Sequence, residues 1–100
     1  MANQNDIRRV MINGNKMPLL YTPEKFSEDM LKNPYLAIIN FVKAFNLYYH
    51  TMKNQIGTRC TFTLFIPPFK IDQTFTGQTM KEAIKKAAYY THRKYTKNIV

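Results

Sequence analysis

The spacing of apolar residues along this chain changes period, and each change predicts a change of element. Tyr35, Ile38, Phe41, Val42 and Phe45 recur at steps of three and four, which predicts a helix with one buried stripe. Asn33 and Pro34 precede that stripe as an N-cap and a first helical residue, and Asn46 is its stop. From Arg59 to Ile66 the period falls to two. Cys60, Phe62, Leu64 and Ile66 share one face, with Thr61, Thr63 and Phe65 on the other, so this is the clearest strand in the chain. Leu47–Lys53, with Tyr48 and Tyr49, predicts a strand before it, and Asn54–Gly57 has turn chemistry. Pro67-Pro68 cannot donate to a ladder and marks a turn; Phe69–Thr76 follows as a third strand, with Lys70-Ile71-Asp72 assignable to either. The helical period returns near Thr79 and lasts to about Thr96, with the small residues Ala83, Ala87 and Ala88 on the side that lies close on a sheet.

The first third of the sequence is patterned less strongly. Ala2–Asp6 is polar. Ile7–Ile12 and Met17–Tyr21 flank Asn13-Gly14-Asn15, residues that accept positive φ cheaply, and together predict a hairpin. Thr22-Pro23 opens a short helix with Glu24 and Glu28 near its start and Phe26, Met30 and Leu31 on one side. Asn33-Pro34 closes it. The expected organisation is an extension over residues 1–32, a compact domain over 33–97 and a tail at 98–100. From Asn33 the order helix, three strands, helix predicts an α+β fold with two helices on one face of a three-stranded antiparallel sheet. The other face is left to solvent or to the extension.

Charge sharpens this division. The formal net charge is +9; residues 1–32 hold five basic and four acidic side chains, whereas residues 33–100 hold ten and two. No acid lies between Pro34 and Ile71. A basic surplus confined to the compact part of a chain points to a polyanionic partner, with plain solubility as the bland alternative. Cys60 is the lone cysteine, and His50 and His92 stand at no ligand spacing with it, so no metal site, cofactor or catalytic group is expected. Phosphate-loop glycines are absent and carboxylates are few, which argues against an enzyme. Met1–Asp6 lacks the apolar core of a signal peptide and no stretch nears a membrane span, so a soluble cytoplasmic protein is expected.

With these residues in place, the stretch from Asn33 to about Tyr95 resembles the double-stranded-RNA-binding domain. The likeness is carried by Asn33-Pro34 followed by Tyr35, Ala37, Ile38 and Phe41, by the alternating run Cys60–Leu64, and by Gly77, Thr79, Lys81, Ala83, Ala87 and Ala88 at matching offsets. The resemblance implies recognition of A-form RNA by shape. The first helix, through Leu36, Asn40 and Lys43, would enter one minor groove. The turn carrying Arg59 would enter another. Thr79, Lys81, Lys85 and Lys86 at the start of the last helix would meet the phosphates between. The chain departs from the family where Met80 and Ile84 stand at places of two lysines, and where Gly57-Thr58-Arg59-Cys60 replaces Gly-Pro-x-His. Taken alone, the lysines read as a solvated helix face, and Arg59 as an exposed turn residue. The aromatics Tyr35, Phe41, Phe45 and Phe62 read as core, and Tyr89, Tyr90 and Tyr95 as helix packing.

The functional expectation is non-catalytic binding of duplex RNA, shielding it as a viral suppressor of RNA silencing does or serving a ribonucleoprotein. The alternative is a homodimer or protein-interaction module on the same scaffold, with Leu36, Met80 and Ile84 forming an exposed apolar patch. A basic helix lying on an anionic membrane is the weakest reading, because the apolar side of residues 80–97 is mainly Ala and Tyr.

Overall fold

The computed structural model describes residues 7–100; the polar start expected over Ala2–Asp6 lies outside them. Strands β1 (Arg9–Ile12) and β2 (Asn15–Pro18) form a hairpin, followed by helices α1 (Pro23–Lys32) and α2 (Pro34–Ala44). Strands β3 (His50–Ile56), β4 (Arg59–Ile66) and β5 (Ile71–Gly77) come next, with a 3₁₀ turn at Pro67–Phe69, and helix α3 (Met80–Lys97) completes the chain. The fold is α+β, with three helices and a three-stranded antiparallel sheet in the order β3-β4-β5.

Local chemistry sets most boundaries. Asn13 and Gly14 both take left-handed φ, +52° and +82°, the condition for a tight two-residue hairpin turn. Thr22 caps α1 by accepting from the Lys25 amide at 3.1 Å, and Pro23 takes the first helical position. Asn33 serves two helices at once. Its amide donates to the Asp29 carbonyl at the end of α1, and its side-chain oxygen accepts from Leu36 N at the start of α2. The extended backbone that Pro34 imposes on Asn33 makes this exchange possible.

The strand β4 alternates as its sequence predicts: Cys60, Phe62, Leu64 and Ile66 are buried, and Thr61, Thr63 and Phe65 are half-buried. Its neighbour differs from expectation. Asn46 adopts φ +54° and turns the chain, so Leu47–Tyr49 is loop and β3 begins only at His50. That strand continues through Asn54, Gln55 and Ile56, residues with turn chemistry, because Thr61, Cys60 and Arg59 pair with them in register. The turn contracts to Gly57-Thr58, with Gly57 at φ +62°. In β5, Ile71 belongs to the strand and is fully buried.

Helix α3 lies on β4 and β5, burying Ala83, Ala87 and Ala88 completely. Helix α2 runs beside it and reaches the sheet through large rings. Tyr35 meets Phe62 of β4 edge to face at 6.1 Å, and Phe41 meets Phe69 of the 3₁₀ turn between β4 and β5 at 5.2 Å. The extension lies on the helices and leaves the outer face of the sheet open. Helix α1 packs on both α2 and α3, with Phe26 against Phe41 at 5.4 Å and against Tyr95 at 6.5 Å. Val10, Ile12, Tyr21, Phe26 and Met30 therefore share one core with residues of α2, the sheet and α3. Residues 98–100 are held to β1: Met11 N donates to the Asn98 carbonyl and Val100 N to the Arg9 carbonyl, with Val10 bridging Ile99.

Candidate nucleic-acid interface

Where β5 passes into α3, the backbone approaches the helix so closely that only glycine fits. A Cβ on Gly77 would lie 2.9 Å from both Ala83 N and Glu82 Cβ. Thr79 then caps α3, its hydroxyl accepting from Glu82 N at 3.1 Å, while the Glu82 carboxylate accepts from Gln78 N at 2.8 Å. These bonds fix the first turn of α3 against the end of the sheet. Lys86, one turn on, donates to the Thr76 carbonyl at 2.8 Å and is held over the end of β5. A cleft forms there, lined by Thr58 and Arg59 from the β3–β4 turn, Thr76, Gly77 and Gln78, and Glu82 and Lys86 from α3.

On the other side of the same helical turn is a second cleft. Lys81 and Ile84 of α3 line it with Lys32, Asn33, Pro34 and Tyr35, where α1 passes into α2. Beyond Lys81, the exposed cations Lys85, Lys86, Arg93 and Lys97 continue along α3, a helix about 27 Å long at 1.5 Å per residue. Among the described residues, the ion pairs are Arg8–Glu24 at 3.1 Å, Lys25–Glu28 at 3.5 Å and Lys25–Asp29 at 3.4 Å, all before Asn33. None of them uses a cation of α3.

The structure thus gathers Arg59, Thr79 and Lys86 near one cleft and Lys81 at the next, with Lys85 exposed beside them. It sets the α2 residues apart. Leu36 is 48% exposed and Lys43 is exposed, but neither lines these two clefts. Asn40 is half-buried on α2, near enough to Asp29 and Tyr21 to lower the pKa of both. There it belongs to a polar lock: the Tyr21 hydroxyl donates to Asp29 Oδ2 at 2.6 Å, and the Tyr95 hydroxyl donates to the Tyr21 carbonyl. The Tyr21 hydrogen bond, with help from Lys25 and Asn40, holds the Asp29 carboxyl below its ordinary range against partial desolvation. Burial, and then the Asp29 carboxylate, push the Tyr21 hydroxyl well above its own.

The apolar patch expected from Leu36, Met80 and Ile84 does not form. Ile84 is only 7% exposed, and Met80 is half-buried against the core. The cover comes from the α1–α2 junction, which lies over this face of α3. Of the remaining candidates for chemistry, His50 is exposed at the start of β3 and the other two are held in the framework. The Cys60 thiol is buried beside the Gln78 carbonyl, and His92 meets the Pro23 carbonyl at 3.1 Å and the Phe26 ring at 5.4 Å. Among the described residues no three His, Cys, Asp or Glu side chains gather as metal ligands, and no helix is long and apolar enough to cross a membrane.

Two basic residues near the site carried no signal at the level of sequence. Lys32 is the last residue of α1, and Lys53 lies across the register from Phe62, with its ammonium 4.6 Å from the Tyr35 ring centre. Lys53 could have been assigned to the helix-facing side of β3 only with the strand register in hand. No protein-family model, curated protein or solved structure matches the chain.

Proposed function

We propose that this chain binds double-stranded RNA without catalysis, gripping the backbone of an A-form duplex by shape and charge and thereby shielding it from enzymes. The observation that carries the reading is the run of exposed cations Lys81, Lys85 and Lys86 where α3 leaves the sheet, with Arg59 in the same cleft as Lys86. Like charges held together without a compensating ion pair repel one another, and a polyanion relieves that repulsion. The order helix, three antiparallel strands, helix after Asn33 supports the same reading, because that scaffold suits a rigid body spanning two minor grooves of A-form RNA, about 16 base pairs. With Asn40 half-buried, the exposed contribution of α2 falls to Leu36 and Lys43, and α3 carries most of the contact.

A gel-shift panel of duplex RNA, duplex DNA and single-stranded RNA tests this. Duplex RNA is expected to bind best, and affinity to fall with salt as counterions are released. Lys81→Ala with Lys85→Ala is expected to weaken binding and flatten the salt slope by about two. Equal affinity for the two duplex types overturns the A-form argument. Absence of duplex binding at low salt, with a tight dimer in sedimentation, favours the interaction module instead. Its surface would be the open face of the sheet, where Met52 and Ile56 are exposed and Phe65 is half-buried.

A further inference from the structure

We propose that Lys32, Lys53 and Lys81, arranged round Tyr35, form a second phosphate-binding cleft, through which the extension takes part in holding the duplex; this rests on the RNA-binding reading above. The three lysines come from three elements, α1, β3 and α3. Lys32 and Lys81 line one cleft with Asn33, Pro34, Tyr35 and Ile84, and Lys53 lies over the ring of the same tyrosine. Tyr35 is a firm centre for them. It is half-buried and braced edge to face on Phe62. Lys53 reaches it because β3 is exposed along nearly its whole length; the helices cover β4 and β5, leaving this lysine free to fold over the ring.

Electrostatics sets the kind of ligand. No carboxylate lines this cleft; the nearest acid in sequence, Glu82, lines the other one and is bonded to Gln78 N. Lys32, Lys53 and Lys81 are exposed and, among the described residues, none of them forms an ion pair. Three cations gathered without an acid suit an anion that spans several charges, as a nucleic-acid backbone does.

The packing of α3 explains why the charge is supplied from these places. Ile84 is buried as the floor of the cleft and Met80 turns to the core, so neither position can present a lysine without emptying the core beneath it.

The test uses the full chain, a 20-base-pair duplex RNA and fluorescence anisotropy over a salt series. The variants are Lys32→Gln, and Lys53→Met, which keeps an unbranched stem over Tyr35. Each is expected to lower the salt slope by about one and the pair by about two, with affinity falling in step and thermal midpoints unchanged. Lys32→Arg is expected to restore the slope. If the double variant binds as the parent does while Lys81→Ala with Lys85→Ala binds weakly, the second cleft is overturned and the RNA-binding reading survives. If the parent itself binds no duplex RNA, both fall together.

Discussion

Residues 8–32 and α3 carry charge in opposite ways. In the first region charges meet within the protein: Arg8 pairs with Glu24, Lys25 bridges Glu28 and Asp29, and Asp29 accepts from Tyr21. In α3 no cation forms an ion pair among the described residues: Lys81, Lys85, Arg93 and Lys97 are exposed, Lys86 donates to the Thr76 carbonyl, and the one acid, Glu82, is engaged in fixing the helix start. The difference teaches how to read a basic protein. Net charge alone cannot distinguish cations that dock the chain to itself from cations held for something else; the partners of each charge can. On that criterion the extension is a structural brace, and α3 is the face presented outward. Lys32 stands at the boundary, belonging to the brace by sequence and to the outward face by position.

The largest effect is expected from breaking the brace. Phe26 is fully buried among the rings of Tyr21, Phe41, His92 and Tyr95. Phe26→Ala is expected to lower stability by about 3–5 kcal/mol in urea denaturation, because the cavity opens where three helices meet. A loss under 1 kcal/mol would mean that α1 is not an integral part of the fold. The next effect concerns the outward face. Gly77→Ala forces a Cβ against Ala83 N and Glu82 Cβ, and is expected to cost about 1–3 kcal/mol and weaken RNA binding with no cation removed. Unchanged binding with lowered stability would show that the lysines do not depend on where α3 begins.

The smallest effect is a pH dependence confined to the brace. Asp29 has a folded pKa depressed chiefly by the Tyr21 hydrogen bond. Its contribution is therefore present above the ordinary carboxylate pKa and lost as pH falls through the folded value. Tyr21 is raised, so its contribution is complete below the ordinary tyrosine pKa and lost as pH rises beyond it. Asp29→Asn is expected to shrink the acid-side loss of thermal midpoint. An unaltered acid limb would assign that loss to other carboxylates.

Elements governed by neighbours in sequence were legible before the structure. The caps Thr22 and Asn33, the start of α3 near Thr79, the alternation of β4 and the alanine side of α3 all act within a few residues, and each appears where its chemistry places it. What escaped depends on contact between distant segments. The turn chemistry of Asn54 and Gln55 yields to pairing with Thr61 and Cys60. Asn40 reads as a surface residue on its own helix, but it is half-buried, near Asp29 of α1. Ile84 and Met80 looked like an exposed patch because the junction that buries Ile84 lies some fifty residues earlier. The candidate site was legible to the extent that it sits on α3 and the β3–β4 turn. Lys32 and Lys53 required knowing which elements meet.

The bridge between Val10 and Ile99 joins opposite ends of the described chain. Closing a clasp across so long an intervening segment carries the largest loop-closure entropy in the fold, so it is expected to form late, after the helices and sheet between its halves. Its backbone seam is short, two amide hydrogen bonds donated by Met11 and Val100 beside the buried Val10 side chain. Those amides should exchange with deuterium well before the ones in β4, making the seam both the final stitch in maturation and the earliest to loosen.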